Sequence, residues 1–123
     1  MIPASKKTQK RRRSIVELDK AVREQVFERD GYACVRCGKK PPEVRLQPCH
    51  VIGRRHLCTR WEPDNIFTGC GGCHIWWHEY PTLSGDWFRK NWPERHEHIL
   101  ALYNAGAKFT DARIREMALE TRQ

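Results

Sequence analysis

Long apolar runs are missing from this sequence of 123 residues, in which hydrophobic residues make up 39% and charged residues 31%. No stretch approaches the length that a membrane-spanning helix needs, and no apolar segment of the signal-peptide kind follows the basic N-terminus. We therefore expect a protein of the reducing cytoplasm that has no membrane partner. The length suits one domain with a small core, and small cores are commonly reinforced by metal ions or disulfides.

Acidic residues are absent from positions 1–14, which hold six lysines and arginines and so carry most of the net charge of +8. This composition predicts a basic flexible tail over 1–14, followed by a single domain over 15–123. Mobile cations grip phosphate by releasing counterions, although a tail that only improves solubility, or solvated loop charges, would have the same composition. The predicted nucleic-acid contacts are Arg11, Arg12, Arg13, Arg54, Arg55 and Arg60.

Four of the six cysteines form two pairs with two-residue gaps, Cys34 with Cys37 and Cys70 with Cys73. Such a gap turns two thiolates toward one ion, and two such pairs complete the tetrahedral ligand set of a structural zinc site. In a reducing compartment thiols are kept for metal binding or chemistry. The sequence therefore predicts one structural Zn²⁺, with two disulfides in a secreted domain as the alternative.

The positions of helix-capping residues, prolines and glycines predict a small α+β fold with helices on either side of a short hairpin. Ser14 and Glu17 have the spacing of a capping box and predict a helix that begins there and ends at Asp30–Gly31. The following segments are predicted in chain order: a strand over 43–52 interrupted by Pro48, a loop over 53–64, a helix over 73–80, and a helical extension over 84–123 with helices that begin at Pro93 and near Thr110 or Asp111.

The chemically informative residues lie between and just after the cysteine pairs. Thirty-two residues separate Cys37 from Cys70, more than the roughly 15–20 of an uninterrupted zinc module. Cys49, His50 and Asn65 lie in this insert, and His74 and His78 follow it. Neighbouring residues on a helix diverge by about 100°, so His74 can face away from the zinc side. His74 and His78 are four residues apart and can share an ion.

A single-metal phosphodiesterase needs a histidine on a strand and metal ligands on the helix that faces it. A divalent ion neutralises the phosphate oxygens while a neutral imidazole takes the proton of the attacking water. Histidine suits this task because its pKa of roughly 6.5 leaves it mostly neutral at working pH.

The order Cys34-x2-Cys37, His50, Asp64-Asn65, Cys70-x2-Cys73-His74 resembles the HNH (ββα-metal) endonucleases over residues 32–80. The stretches His50-Val-Ile-Gly-Arg-Arg and Thr59 to Asn65 are similar to those of phage-borne HNH proteins, among them the NinG recombination-protein group. The resemblance implies a zinc-stapled ββα core with flanking helices, and an endonuclease that cleaves nucleic acid, expected to be DNA, in a bacterial or phage-infected cell.

The same resemblance implies roles for individual residues. His50 would be the general base and His74 a ligand of a catalytic divalent ion such as Mg²⁺, Mn²⁺, Ni²⁺ or Zn²⁺. Asn65 would be a ligand or a brace for the loop. The nine-residue step from Asn65 to His74 and the His74-x3-His78 pair are also similar to nuclease colicins, in which both helix histidines bind metal.

One departure is Cys49, which stands where the family often has Asp or His at the catalytic metal. A bulge at Pro48 would bring Cys49 to that metal, whereas a regular strand would leave it a buried thiol. The alternative for the three histidines is that they are packing residues without a catalytic role, and the alternative for Asn65 after Asp64 is a turn residue. At the level of function, the alternative is an inactive zinc-stapled DNA-binding or recombination-accessory module. The sequence does not indicate an oligomeric state.

Overall fold

The computed structural model describes residues 2–122 as a small α+β fold, in which helices surround a two-stranded antiparallel sheet. No helix in this described range is both long enough and apolar enough to cross a membrane. The elements in chain order are α1 (Lys6–Arg29), β1 (Leu46–His50), α2 (Leu57–Arg60), a 3-10 turn (Pro63–Asn65), β2 (Ile66–Cys70), α3 (Gly71–Glu79), α4 (Pro81–Asn91), α5 (Pro93–Ala105) and α6 (Asp111–Glu120).

Helix α1 begins at Lys6, where the side chain of Ser5 accepts a hydrogen bond from the amide of Thr8. The predicted flexible tail over 1–14 is therefore wrong for residues 6–14, and Ser14 lies inside the helix instead of capping it. Lysine, arginine and glutamine are good helix formers, and no proline or glycine interrupts positions 6–29. Arg11 also pairs with Asp111 at 2.9 Å, which ties this basic turn to α6.

The hairpin pairs β1 with β2 so that Cys49 lies opposite Phe67 and His50 lies opposite Ile66. Directly paired residues point to the same face of a sheet, and successive residues alternate between faces. One face, with His50, Ile66 and Thr68, is turned toward α1; Thr68 donates to the carboxylate of Asp30 through its amide and its hydroxyl. The other face, with Cys49 and Phe67, is turned toward α3 and α4.

The strand is shorter than the predicted 43–52, and it runs through Pro48 without a bulge. Proline has no amide hydrogen to donate to a neighbouring strand. Pro48 is tolerated because β1 is an edge strand of the two-stranded sheet, and an edge strand donates hydrogen bonds to a neighbour on one side alone. The predicted loop over 53–64 contains the short helix α2 and the 3-10 turn.

Aromatic side chains fill the face of the hairpin that is turned toward α3. Phe67 packs edge-on against Trp77 and Trp87, with ring centroids 5.1 and 5.4 Å apart. Phe88 is fully buried, and Trp92 packs beside it with the ring centroids 5.5 Å apart. The predicted helix from Pro93 is confirmed as α5, which ends at Gly106 in the left-handed conformation; Thr110 caps α6.

Candidate metal centres and active site

The two cysteine pairs come together in one four-thiol cluster. The Sγ atoms of Cys34, Cys37, Cys70 and Cys73 all lie within 4.8 Å of one another. Cys37 and Cys70 have their sulfur atoms 3.7 Å apart, close to the edge of about 3.8 Å expected for a tetrahedron with Zn–S bonds of about 2.3 Å. The cysteines are free of disulfides. These four residues therefore form a possible zinc site, as the spacing predicts, and they support a structural zinc.

The protonation state of the four thiols is coupled to the binding of a cation. Burial alone would raise the pKa of Cys34, but backbone amides of Cys37, Arg36 and Cys70 donate to the sulfur and lower that pKa to about 7. Burial raises the pKa of Cys73 to about 12. At neutral pH the thiols therefore keep part of their protons, and a divalent ion would displace these protons when it binds. Arg36 also donates to Cys73 Sγ at 3.5 Å and stacks on Trp76, 3.7 Å from the ring centre.

On the same helix, one residue further on, His74 begins a second constellation. The Nε2 atoms of His74 and His78 are 3.1 Å apart. Two imidazoles that share one ion, with bonds of about 2.0–2.1 Å at a tetrahedral angle, would place these atoms about 3.3 Å apart. His78 is exposed, and a depression of about 310 Å³ opens beside the pair, lined by Gln47, Ile75 and Glu79 among others.

Gln47 orients the first histidine of the pair and is absent from the sequence-based prediction. The amide oxygen of Gln47 lies 2.7 Å from Nδ1 of His74. An oxygen acceptor there places the proton on Nδ1 and leaves the lone pair of Nε2 directed at His78. Burial, and then the neighbouring His78, lower the pKa of His74, which also favours the neutral ligand form. The signal for Gln47 was its place two residues before Cys49, hence on the same face of β1.

Cys49 does not join this pair: of the two alternatives predicted for it, the geometry supports the buried thiol of a regular strand. The side chain is fully buried in the core cluster with Phe67 and Trp77. Burial raises the pKa of Cys49 to about 12, so the group is a neutral thiol. Its sulfur fills the space above Gly69, where an added Cβ would lie 2.7 Å away. The strand is regular at Pro48, so Cys49 keeps its inward orientation.

His50, the predicted general base, is a half-buried residue at the end of β1. Its Nε2 lies 3.1 Å from the backbone oxygen of Arg60. A carbonyl oxygen only accepts, so Nε2 carries the proton and donates it, and Nδ1 keeps its lone pair. Burial lowers the pKa of His50 to about 4, with the positive charges of Arg54 and Arg60 acting in the same direction. His50 is therefore a neutral imidazole at physiological pH.

Asn65 braces the loop that carries the partner of His50. This fully buried side chain accepts from the amide of Ile52 at 2.8 Å and donates to the carbonyls of Ile52 and Thr59 at 3.0 and 3.1 Å. It thus fastens the beginning of the loop to its end. Of the predicted roles for Asn65, the geometry supports the brace, since its amide is fully engaged with backbone groups.

Asp19 of α1 holds the same loop from outside. It accepts two hydrogen bonds from the guanidinium of Arg60, at 2.9 and 2.7 Å, and one from the indole of Trp61 at 2.9 Å. Burial would raise the pKa of Asp19, but these donors lower it. Arg60, predicted to contact phosphate, is therefore committed to Asp19, whereas Arg54 and Arg55 are exposed.

The structure does not place all predicted catalytic residues around one point. His50 shares the α1 face of the hairpin, whereas His74 and His78 lie on α3 at the other face. Within residues 2–122, no third histidine, cysteine or carboxylate joins the histidine pair to form a ligand cluster. His78 nevertheless lies toward the end of β1 that carries His50, because Val51, which follows His50, lines a depression of about 270 Å³ together with His78. His74, in contrast, meets Gln47 near the start of that strand.

Another group of potential ligands was missed by the sequence reasoning, which assigned no role to His98. Glu62, Asp64 and His98 have ligand atoms within 4.8 Å of one another. Nδ1 of His98 lies 2.8 Å from Asp64, and Arg95 approaches the same carboxylate at 3.9 Å. The hydrogen bond to Asp64 raises the pKa of His98. This exposed group is explained as an ion-pair network that ties α5 to the 3-10 turn.

Comparison with known proteins adds nothing to this geometry: no family model, curated protein or solved structure matches the chain.

Proposed function

We propose that this protein is a metal-dependent endonuclease that hydrolyses phosphodiester bonds of nucleic acid, with DNA as the expected substrate. The observation that carries the proposal is the placement of two imidazoles, with their Nε2 atoms 3.1 Å apart, on the helix that follows the hairpin, beside the strand that ends at a neutral histidine. The resemblance of residues 32–80 to HNH endonucleases supports the same assignment, because His50, Asn65 and His74 match the positions of that motif.

The protein residues supply the proton chemistry. Nδ1 of His50 takes a proton from water, and the resulting hydroxide attacks phosphorus. The bond from phosphorus to the sugar oxygen then breaks with its electron pair on that oxygen, which takes a proton from a solvent water, and His50 returns its proton to solvent. The lowered pKa of His50 keeps the imidazole neutral, so that Nδ1 has a free lone pair, and the hydrogen bond from Nε2 to the backbone oxygen of Arg60 fixes the orientation of the ring. Asn65 and Asp19 keep that carbonyl in place. Exposed Arg54 and Arg55 would bind the phosphates on either side of the scissile bond.

A divalent ion held by His74 and His78 would neutralise charge on the phosphate oxygens. The donor set fits such an ion: both Nε2 atoms converge, and Gln47 fixes the tautomer. Two imidazoles favour Zn²⁺, Ni²⁺ or Mn²⁺ over Mg²⁺, which prefers an all-oxygen shell. Water and substrate would complete the coordination, as is usual in catalytic sites.

The second candidate is a zinc-stapled DNA-binding or recombination-accessory module that does not turn over. One observation favours it: the side chain of His50 is turned to the face of the hairpin opposite the histidine pair. In this case the basic residues bind nucleic acid, and His50 serves only to hold the loop.

Supercoiled plasmid separates the two candidates. The wild type should convert it to the nicked form with Mn²⁺, Ni²⁺ or Zn²⁺, and a chelator should stop the reaction. His50→Ala should lose the activity by about 10²–10⁴-fold, the range of a positioned proton transfer, and keep its zinc. His98→Ala is the matched control, because this exposed histidine lies on α5 outside the proposed site. Wild type that cuts no DNA or RNA with any divalent ion would establish the binding module instead.

A further inference from the structure

Two of the helices outside the region of resemblance, α1 and α6, pack side by side in the same direction. Arg11 pairs with Asp111 near the start of both helices, and Glu17 pairs with Arg122 at the end of α6, at 2.9 and 2.6 Å. Between these ion pairs, the small residue Ser14 of α1 is buried where the helices meet. Small buried residues let the backbones approach, and the larger side chains on either side form the walls of a cleft.

That cleft has a volume of about 420 Å³ and is dominated by positive charge. Lys10 and Arg13 line it from α1, and Arg115 lines it from α6. The ion pair of Glu17 with Arg122 closes one end, and its two charges offset each other. A second depression of about 200 Å³ continues past Lys10 and Arg115 toward Lys7. Within residues 2–122, no carboxylate comes within ion-pair distance of Lys10, Arg13 or Arg115. At each end of the interface, in contrast, an arginine is paired with an acidic residue of the other helix.

Cations that face one another across a helix interface repel, and a helix pair gains by placing acids there instead. The acids at the two ends of this interface show that complementary pairing is available to these helices. The three cations between these ion pairs therefore leave the cleft with an excess of positive charge, which a bound anion would offset. Arginine forks match phosphate oxygens in two parallel hydrogen bonds, and lysine adds a point charge, so the fitting chemistry is phosphate.

The position of the cleft favours a polymeric phosphate. Arg13 precedes Asp19 by six residues, about 9 Å along the helix axis. Asp19 holds Arg60, whose carbonyl accepts from His50. One strand of B-DNA rises about 3.4 Å per nucleotide, so the distance from the cleft to this network corresponds to about three nucleotides.

We propose that the cleft between α1 and α6, with Lys10, Arg13 and Arg115 as its walls, binds the phosphate backbone of nucleic acid next to the His50 site. This inference deepens the proposed function and rests on it for the choice of a phosphodiester as ligand. Its test is a binding measurement, which does not require cleavage. It also replaces the idea of a mobile tail: Lys10 and Arg13 act from one face of a docked helix, and Arg12 does not line the cleft.

The experiment measures fluorescence anisotropy with labelled single-stranded and duplex DNA, without added divalent metal, over a range of salt concentrations. A gel run after each titration verifies that the DNA is intact. The cleft variant carries Lys10→Gln, Arg13→Gln and Arg115→Gln. The control carries Lys20→Gln, Arg23→Gln and Lys108→Gln, which remove the same charge from exposed positions outside the cleft. Zinc content and melting temperature are recorded for both.

We expect the cleft variant to bind at least about tenfold more weakly and to lose about 0.7–0.9 from the salt slope for each phosphate contact removed. Its melting temperature should be unchanged or slightly higher, because the repulsion is gone. The control should change binding by about twofold or less. Equal weakening by both variants, or wild-type binding by the cleft variant, would overturn the proposal. So would a cleft-dependent loss of binding to phosphatidylserine vesicles with DNA binding unchanged.

Discussion

The four-thiol cluster and the histidine pair lie one residue apart in the chain and differ in almost every property. The cluster is closed: four sulfur atoms surround one point, and three of the four cysteines are buried. The pair is open: two imidazoles meet at the rim of a depression, and His78 is exposed. Closed sets of four ligands are typical of structural sites, and sets with free positions are typical of catalytic ones.

The difference arises from a single helical step. Cys73 and His74 are neighbours in the first turn of α3, so their side chains diverge by about 100°. Cys70 caps α3 and Cys73 lies in its first turn, so the four-thiol cluster determines where the helix begins. His74 then points away from the cluster and contacts Gln47 on β1. A structural metal in the cluster would therefore position the second site without belonging to it.

The strongest way to test the comparison is to remove a ligand from the closed cluster. Cys70→Ala should lose zinc and, with it, cooperative unfolding near room temperature, because structural zinc sites contribute on the order of 10 kcal/mol to folding. Metal analysis and thermal denaturation followed by tryptophan fluorescence measure this. Cys58→Ala is the control: it is a half-buried cysteine outside the cluster. Retention of one zinc and of the wild-type melting temperature in Cys70→Ala would contradict the structural role.

Acid should destabilise the fold through the half-buried imidazole of His50. The pKa of His50 is lowered from about 6.5 in the unfolded chain to about 4 in the fold. Between these values the unfolded chain binds more protons, so the contribution of His50 is complete above pH about 6.5 and is lost as the pH falls to about 4.

The size of this acid effect is on the order of 3 kcal/mol. It is measured as the difference in unfolding free energy between wild type and His50→Gln, whose amide can still donate to Arg60. This subtraction removes the acid release of zinc that both proteins share. A difference that stays constant from pH 7 to pH 4.5 would show that His50 is not buried as described.

Substitutions at Gly69 and Cys49 test whether Cys49 belongs to the hydrophobic core or to the histidine pair. Gly69→Ala should destabilise the fold by about 1–3 kcal/mol, because its Cβ would overlap the sulfur of Cys49. The double variant Gly69→Ala, Cys49→Ala should recover much of that loss in thermal or urea denaturation. Cys49→Ala alone should leave metal binding at the histidine pair unchanged. Weaker binding of the second ion in Cys49→Ala would return this residue to the open site.

The smallest effect is expected from the orienting amide. Gln47→Ala should weaken binding of a divalent ion at His74 and His78 by about 10–100-fold, the usual cost of losing a partner that orients a ligand. The fold should be little affected, because Gln47 is only half-buried. Isothermal titration with Ni²⁺ into zinc-loaded protein measures the change, with Gln9→Ala as a surface control. An unchanged affinity for Ni²⁺ would show that Gln47 does not orient the histidine pair for metal binding.

The sequence predicted the parts of both sites that depend on local spacing. Two Cys-x2-Cys gaps and a four-residue step between histidines determine ligand geometry within one turn, so the cluster and the pair were foreseeable. The orientation of Cys49 and His50 was not, since it depends on whether Pro48 bends the strand. Gln47 and Asp19 were missed because their roles arise from contacts 27 and 41 residues away along the chain.

The start of α1 was mispredicted for a related reason. The basic composition of residues 6–13 suggested disorder, but Asp111 of α6 pairs with Arg11 and supports a continuous helix. Composition carries no information about a partner that lies a hundred residues later in the chain.

The most direct test of the proposed nuclease is the metal dependence of its cleavage rate in two histidine variants. His74→Ala should cut slowly and regain much of its activity as Mn²⁺ or Ni²⁺ is raised, because a weakened site is filled by mass action. His50→Ala should stay about 10²–10⁴-fold below wild type at every metal concentration, because no ion replaces a missing base. If metal restores His50→Ala as fully as His74→Ala, or if His50→Ala cuts at the wild-type rate, His50 is not the general base.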